Sequence, residues 1–326
     1  MTSPLLRWLV ETGHSPYSTR KIFGQDGWDG AIWKGWTIDR MGMSRTVIPD
    51  GREVFVAGEH EDYYDPDFRI FNDLIVRGPG GDIEVYGYPK DILPPTDFHT
   101  ATLLGGELLV VGSIGYPDQR GAGVTPVTRI EIDTWRVAGH TRTTGGPGWL
   151  CKHEVEAVDG RLVVRGGEVG TDSFRRNCDE WSLDPATLDW TRLTRNEWPQ
   201  FRIGRADGDS LHVWQIDSER FRRDYQPDKP PLEWIASLPA EPDFGALASL
   251  YELPGADGPP EGDEHETLLT RTRVGGVPVE MYDGHPDLRV TVCGVLPERR
   301  IEEIAEHLRD RLSRIEQSEI VAERIA

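Results

Sequence analysis

The sequence predicts an all-β chain of recurring four-stranded antiparallel units, closed at its C-terminus by one amphipathic helix. Three observations point there. A turn-then-strand core returns at offsets of 55, 54 and 48 residues, and a near-constant period of that length marks a repeated supersecondary unit. Glycine and proline, 36 and 24 of 326 residues, exceed the average for a domain, as many short strands joined by turns require. Apolar residues make up 37% and aromatic residues 9%, enough to bury a sizeable core, which excludes a disordered chain.

Residues 1–39 are read as an N-terminal helix and a closing strand. In MTSPLLRWLVETGHS, Ser3 is placed to cap, Pro4 to open the first turn and Gly13 to end it. The run has neither a basic leader nor a small-residue cleavage site, so it is not read as a signal peptide. The segment 31–39, AIWKGWTID, is a candidate strand that pairs with the last unit.

Residues 40–240 hold four copies of the unit. Their hairpins are DGREVFVAGEHE from Asp50, GGELLVVGSIGY from Gly105, DGRLVVRGGEVG from Asp159 and DGDSLHVWQID from Asp207. A DG or GG step between two strand-like runs is a strong hairpin signal. Downstream, FNDLIVRGPGGDIEVYG, VTRIEIDTWRVAG and NCDEWSLDPATLDWTRLT supply a second strand pair, the last two carrying Trp135 and Trp190 at matching places. Four short strands in about 50 residues are the size of a propeller blade, and such units bury their two apolar faces by stacking around an axis.

The order of hairpin, Gly166-Gly167 after the second strand, the run from Asn177 to Trp181 and the final Trp190 resembles the kelch repeat of galactose-oxidase-like β-propellers. Ala57-Gly58 and Gly112-Ser113 stand at the double-glycine place in the first two copies. The resemblance covers roughly residues 40–193 and implies a propeller of about five blades. Residues 241–296 then form either a degenerate fifth blade or a small α+β domain. They contain FGALASLYEL, ETLLTRTRV, VPVEMYDG and DLRVTVCG as strand-like runs, with Gly275-Gly276 as a turn. Residues 297–326 form the helix. Ile301, Ile304, Ala305, Leu308, Leu312 and Ile315 fall at spacings of three and four, opposite a charged face.

Composition also narrows the partners. A formal charge of −20 repels a nucleic-acid backbone and suits a basic protein partner. No apolar stretch reaches the roughly 20 residues a membrane helix needs. The three cysteines, Cys151, Cys178 and Cys293, form no CxxC pair and no disulfide framework, so the expectation is a reducing cytoplasm. The heavy preference for Arg over Lys is read as GC-rich coding in a bacterium.

Stepping Ser44 by the repeat offsets gives His99 and His153, and stepping Glu59 gives Ile114 and Glu168. These positions lie at the start of a blade's first strand and the end of its second, which adjoin in an antiparallel hairpin. His99, His153, Glu59 and Glu168 are therefore predicted to converge on a polar funnel, the default ligand site. Two imidazoles and two carboxylates suit a divalent metal or a general acid and base. In the kelch family, however, histidine at this place is structural. The iron pattern ExxxDxxxH of kelch-type specifier proteins is matched by Glu168 and Asp172 but meets Arg176 instead of histidine, and the cysteine–tyrosine set of the copper radical oxidases has no counterpart. No cofactor is predicted.

The acidic run EHEDYYDPDF, residues 59–68, is read as a contact loop. Tyr63, Tyr64 and Phe68 are anchors of the kind that dominate interfaces, beside the charges of Glu59, His60 and Asp62, with Asp172 adding a further acid. The preferred expectation is a non-catalytic kelch-like module that binds, neutralises or scaffolds a basic protein. The alternative is a small-molecule lyase, isomerase or hydrolase using the His/Glu funnel.

Overall fold

Each of the first three repeats folds as a four-stranded antiparallel sheet. The structure, a computed structural model, describes residues 4–15, 18, 36–62, 65–226, 228–231, 235, 238, 240–262, 268–284 and 286–326. They divide into two units, Met1–Arg195 and Asn196–Ala326.

The first unit begins with helix α1, Pro4–Thr12, which ends where the Gly13 N–H bonds back to Leu9 O with φ 66°. Sheet one joins β1 (Ser44–Val47) and β2 (Glu53–Val56) through the Asp50-Gly51 turn. A hairpin, β3 (Glu59–Asp62) and β4 (Asp65–Ile70), then leaves the end of β2, and β5 (Asp73–Arg77) and β6 (Ile83–Gly87) complete the sheet in the order β1-β2-β5-β6. Sheet two contains β7 (Thr100–Leu104), β8 (Glu107–Val111), β9 (Val124–Glu131) and β10 (Val137–Thr144). After β11 (Leu150–Cys151), sheet three uses β12 (Glu154–Val158) and β13 (Arg161–Arg165). The short β14 (Glu168–Val169) and β15 (Arg175–Arg176) pair beside β11, and β16 (Trp181–Leu183) and β17 (Trp190–Arg192) finish the sheet.

Burial follows the strand period. Val54, Val56, Leu74 and Val76 of sheet one meet Leu108, Val110 and Ile130 of sheet two. On the other side of sheet two, Leu109, Val111 and Val127 pack with Leu162 and Leu183 of sheet three. Sheet two is thus buried on both faces, which is why its strand Glu107–Val111 reads ELLVV without polar alternation. The outward face of sheet one, Phe55, Ile75 and Ile83, is covered by Val10 of α1 with Trp36 and Ile38. The outward side of sheet three is polar. There Arg165 pairs with Glu156 and Glu180, and Arg161 with Asp184.

The repeat tryptophans lock neighbouring sheets. Trp190 Nε1 donates to Thr143 Oγ1 of sheet two at 2.8 Å, and Tyr88 Oη donates to Trp135 O at 2.6 Å. The segment before β1 is held by a buried ion pair, Arg40 Nη1 to Asp73 Oδ1 at 2.5 Å, with Trp36 Nε1 donating to the other Asp73 oxygen at 2.6 Å. Segment 36–39 is not a strand, and 31–35 lie outside the described residues, so the expected closing strand is absent from the described part.

The fourth repeat does not form a blade. Its turn at Asp207-Gly208 is present, but the predicted second strand is helix α2, Val213–Tyr225. Ion pairs at three and four residues, Asp217 with Arg220 and Glu219 with Arg222 and Arg223, favour a helix over the two-residue alternation read in LHVWQID. Likewise FGALASLYEL is not a strand. Asp243 accepts from Ala246 N and caps α3, Phe244–Ala248.

The second unit is an α+β layer rather than a fifth blade. The segment upstream of the Asp207 turn is β18 (Gln200–Arg205). It is joined by β19 (Glu261–Gly262), β20 (Leu269–Val274), β21 (Val277–Asp283), β22 (Leu288–Val292) and β23 (Ile320–Arg324) in a six-stranded sheet of order β19-β20-β21-β22-β18-β23. The C-terminal helix, α4, Glu298–Glu316, buries Ile301, Ile304, Ala305, Leu308, Leu312 and Ile315 as predicted. They pack on Phe201, Ile203, Val279, Met281 and Val290. The helix stops at Gln317, whose φ is 51°, and the β-branched Ile320-Val321 begins β23 instead of extending the helix. The chain as a whole is predominantly β and antiparallel.

Candidate functional site

The site is built by the segments that enter each sheet of the first unit. Phe98 and Lys152 occupy the same place before β7 and β12, and both adopt left-handed backbone, φ 46° and 53°. This conformation turns each N–H to the preceding unit: Phe98 N donates to Gly42 O and Lys152 N to Phe98 O, both at 2.8 Å. The next residues are the predicted imidazoles. His99 Nε2 lies 2.8 Å from Ser44 Oγ of sheet one, and His153 Nε2 lies 3.0 Å from Thr100 Oγ1 of sheet two. Burial pushes the pKa of both rings down to about 3. Each is a neutral fastener between successive sheets through Nε2, and its buried Nδ1 has no hydrogen-bond partner.

The carboxylates behave differently. Glu59 bridges antiparallel to Met41, and Glu168 is paired with Cys151 in the same manner, so both open the hairpin that follows a second strand. Between them stand two residues the repeat arithmetic did not single out, Asp97 and Lys152. Asp97 is fully buried; its Oδ1 accepts from Gly115 N at 2.7 Å and Ser113 Oγ at 3.0 Å. Its Oδ2 has no hydrogen-bond partner. Burial, and then the charge and hydrogen bonding of Asp97, push Glu59 up to about 7. A proton on Glu59 removes the repulsion between the two acids. Lys152 Nζ lies 3.7 Å from Glu168 Oε2 and 5.5 Å from the Phe98 ring centre. Chemically the site is the raised carboxyl of Glu59 beside Asp97, next to a lysine–glutamate pair. The missed signal was one of column: Lys152 directly precedes His153, and Asp97 sits two residues before His99.

Three connections near this site are tied to one another. Tyr116 Oη accepts from Ile70 N at 2.9 Å, and its ring meets Phe68 edge-on at 6.0 Å. Arg120 donates to Ile114 O and Gly115 O within its own loop and through Nη1 to Thr171 O at 2.9 Å, with its guanidinium 5.1 Å from the Phe174 ring. The β3–β4 hairpin, the 114–123 loop and the β14–β15 connection therefore form one continuous rim. The acidic run is a hairpin rather than a loop. Within it His60 is buried with Nδ1 2.6 Å from Asp39 O, and Phe68 is half-buried. Asp172 is exposed on the β14–β15 connection. Tyr63, Tyr64 and the side chain of Asp62 lie outside the described residues.

Among the described residues no group of three or more His, Cys, Asp or Glu side chains is disposed to hold a metal ion. Arg176, where the iron pattern needs histidine, faces Glu168 across the β14–β15 ladder. Burial raises the Cys151 thiol pKa well above its ordinary value.

No protein-family model matches the chain, and no curated protein matches it. A solved structure titled "Structure of YjhT" is similar at 18% identity and a TM-score of 0.31, over 49% of this chain and 52% of that one. The match thus spans about half the length of that protein.

Proposed function

We propose that residues 40–195 are kelch-like propeller blades whose mouth-side rim grips a basic protein, and that this module binds without performing chemistry. One observation carries the reading: Tyr116 and Arg120 bind three successive connections into a single surface. A rim ordered before contact loses little conformational freedom on association. The β3–β4 hairpin contributes Glu59, Glu61, Asp62, Asp65 and Asp67, charges that steer a basic partner.

The test is capture by the immobilised full chain from a bacterial lysate at low and high salt. Wild type is compared with Phe68→Ala and Glu61→Lys, and with Val295→Ser in the second unit, a residue 91% exposed, as control. Salt-sensitive capture lost in both rim variants and kept in the control is expected. Capture undiminished in both rim variants overturns the reading.

A second reading, a small-molecule acid–base enzyme, is favoured by the Glu59–Asp97 pair, because a carboxyl poised near neutrality is suited to proton transfer. Lyase, isomerase or hydrolase substrates turned over by wild type and not by Glu59→Gln would establish it.

A further inference from the structure

A cleft lined by two basic side chains adjoins the acid pair, with Ser113, which donates to Asp97 Oδ1, in its wall. The cleft, of about 170 Å³, opens between one face of sheet two and the connector that precedes β7. Sheet two supplies Val110, Pro126, Thr128, His140 and Arg142, side by side because their strands pair Val110 with Thr128, Thr128 with His140, and Pro126 with Arg142. The connector supplies Lys90 and Pro94 to Thr96, and Gly112, Ser113, Gln119 and Trp149 complete the wall.

Its chemistry is one-sided. Lys90 and Arg142 are the charged lining residues, and among the described residues no carboxylate lines the cleft, although the chain carries 56 acids against 36 bases. Neither cation forms an ion pair with the described residues. The exposed Arg142 donates through Nη2 to Gln119 O at 2.9 Å and lies 5.8 Å from the Trp149 ring, which orients the guanidinium and leaves its other N–H groups to a ligand. His140 holds Thr128 Oγ1 at 2.8 Å through Nδ1. Burial and the neighbouring Arg142 push its pKa down, so the imidazole is neutral and Nε2 is the atom left for a ligand. Gln119 Oε1 is sealed behind this wall and takes no part in the opening.

We infer that this cleft binds a small organic carboxylate. The carboxylate sits between Arg142 and Lys90, in the charge-assisted geometry that arginine provides. The cavity, about 170 Å³, is smaller than the ~300 Å³ at which ordinary ligand pockets begin, so the ligand is of the size of a short-chain acid such as lactate.

The test uses the full chain with isotope-labelled histidine, the His140 ring signals being assigned by their loss in His140→Gln. Sodium lactate is titrated in, with propane-1,2-diol as the neutral counterpart and inorganic phosphate as a second anion. Lactate is expected to move the His140 signals saturably, the diol to leave them in place, and phosphate to act more weakly than lactate. Arg142→Gln is expected to weaken lactate binding by at least about tenfold, and exposed Lys90→Gln serves the same purpose if the first variant is unstable. Unmoved His140 signals, equal movement by the diol, preference for phosphate, or undiminished binding in the variants would each overturn the inference.

Discussion

Gly112 and Gly167 show how closely the first unit is assembled at single residues. Both have positive φ, 77° in each case, and a Cβ on either would stand 2.4 Å from a backbone oxygen, Leu150 O or Cys151 O. Gly160 has the same φ of 77° but open space around it. Replacement by alanine should therefore cost about 1 kcal/mol at Gly160 and about 3 kcal/mol or more at Gly112 or Gly167. Urea denaturation of the three variants checks this, and equal losses would contradict the packing argument.

The buried titratable groups set opposite pH dependences. His99 and His153, with folded pKa values of about 3 against about 6.5 when unfolded, bind protons mainly in the unfolded state. Stability should fall as pH drops below 6.5, on the order of 1 kcal/mol per unit for each ring. Glu59, raised to about 7, does the reverse: the folded state takes up its proton first, so stability grows as pH falls from above 7 towards 4.5. Denaturation curves from pH 5 to 8 should therefore show Glu59→Gln stabilised relative to wild type at pH 8, with that advantage gone by pH 5. His99→Gln with His153→Gln should flatten the decline on the acid side.

At the scale of elements, the rim behaves as one body because Arg120 reaches across it. Arg120→Ala removes the bond to Thr171 O and the contact with Phe174. Amide exchange should then quicken in both 114–120 and 168–176, while β7 to β9 keep their protection. Acceleration confined to 114–120 would separate the two connections. The hairpins themselves were legible in the sequence, because Asp-Gly and Gly-Gly turns demand positive φ and the flanking runs alternate or are apolar throughout. Phe98 and Lys152 were not, since nothing in a phenylalanine or lysine announces left-handed backbone. The candidate site was half read for the same reason. Glu59 and Glu168 follow from the repeat, whereas Asp97 and Lys152 enter it through that irregular turn. Helices α2 and α3 escaped because short apolar runs fit either period and the deciding features, ion pairs and a capping aspartate, are local contacts.

For the whole molecule, the division into two units has thermodynamic consequences. The core around α4 and the six-stranded sheet is drawn entirely from residues 201–320, so it does not need the three stacked sheets. Residues 196–326 expressed alone should fold cooperatively. Calorimetry of the full chain should show two transitions, only the first-unit transition moving in Gly112→Ala. A single transition shifting as a whole, or an unfolded 196–326 fragment, would refute that independence.

The handover of one hydrogen bond from Gly42 O to Phe98 and from Phe98 O to Lys152 makes each joint a standard coupling. Its outgoing half matches its incoming half, so a duplicated stretch of gene spliced in frame between two such joints meets compatible neighbours on either flank. Lengthening by copying is thereby an easy evolutionary route for this half of the chain, whereas the six-stranded sheet beyond it, with its last strand slotted beside its first, offers no equivalent seam.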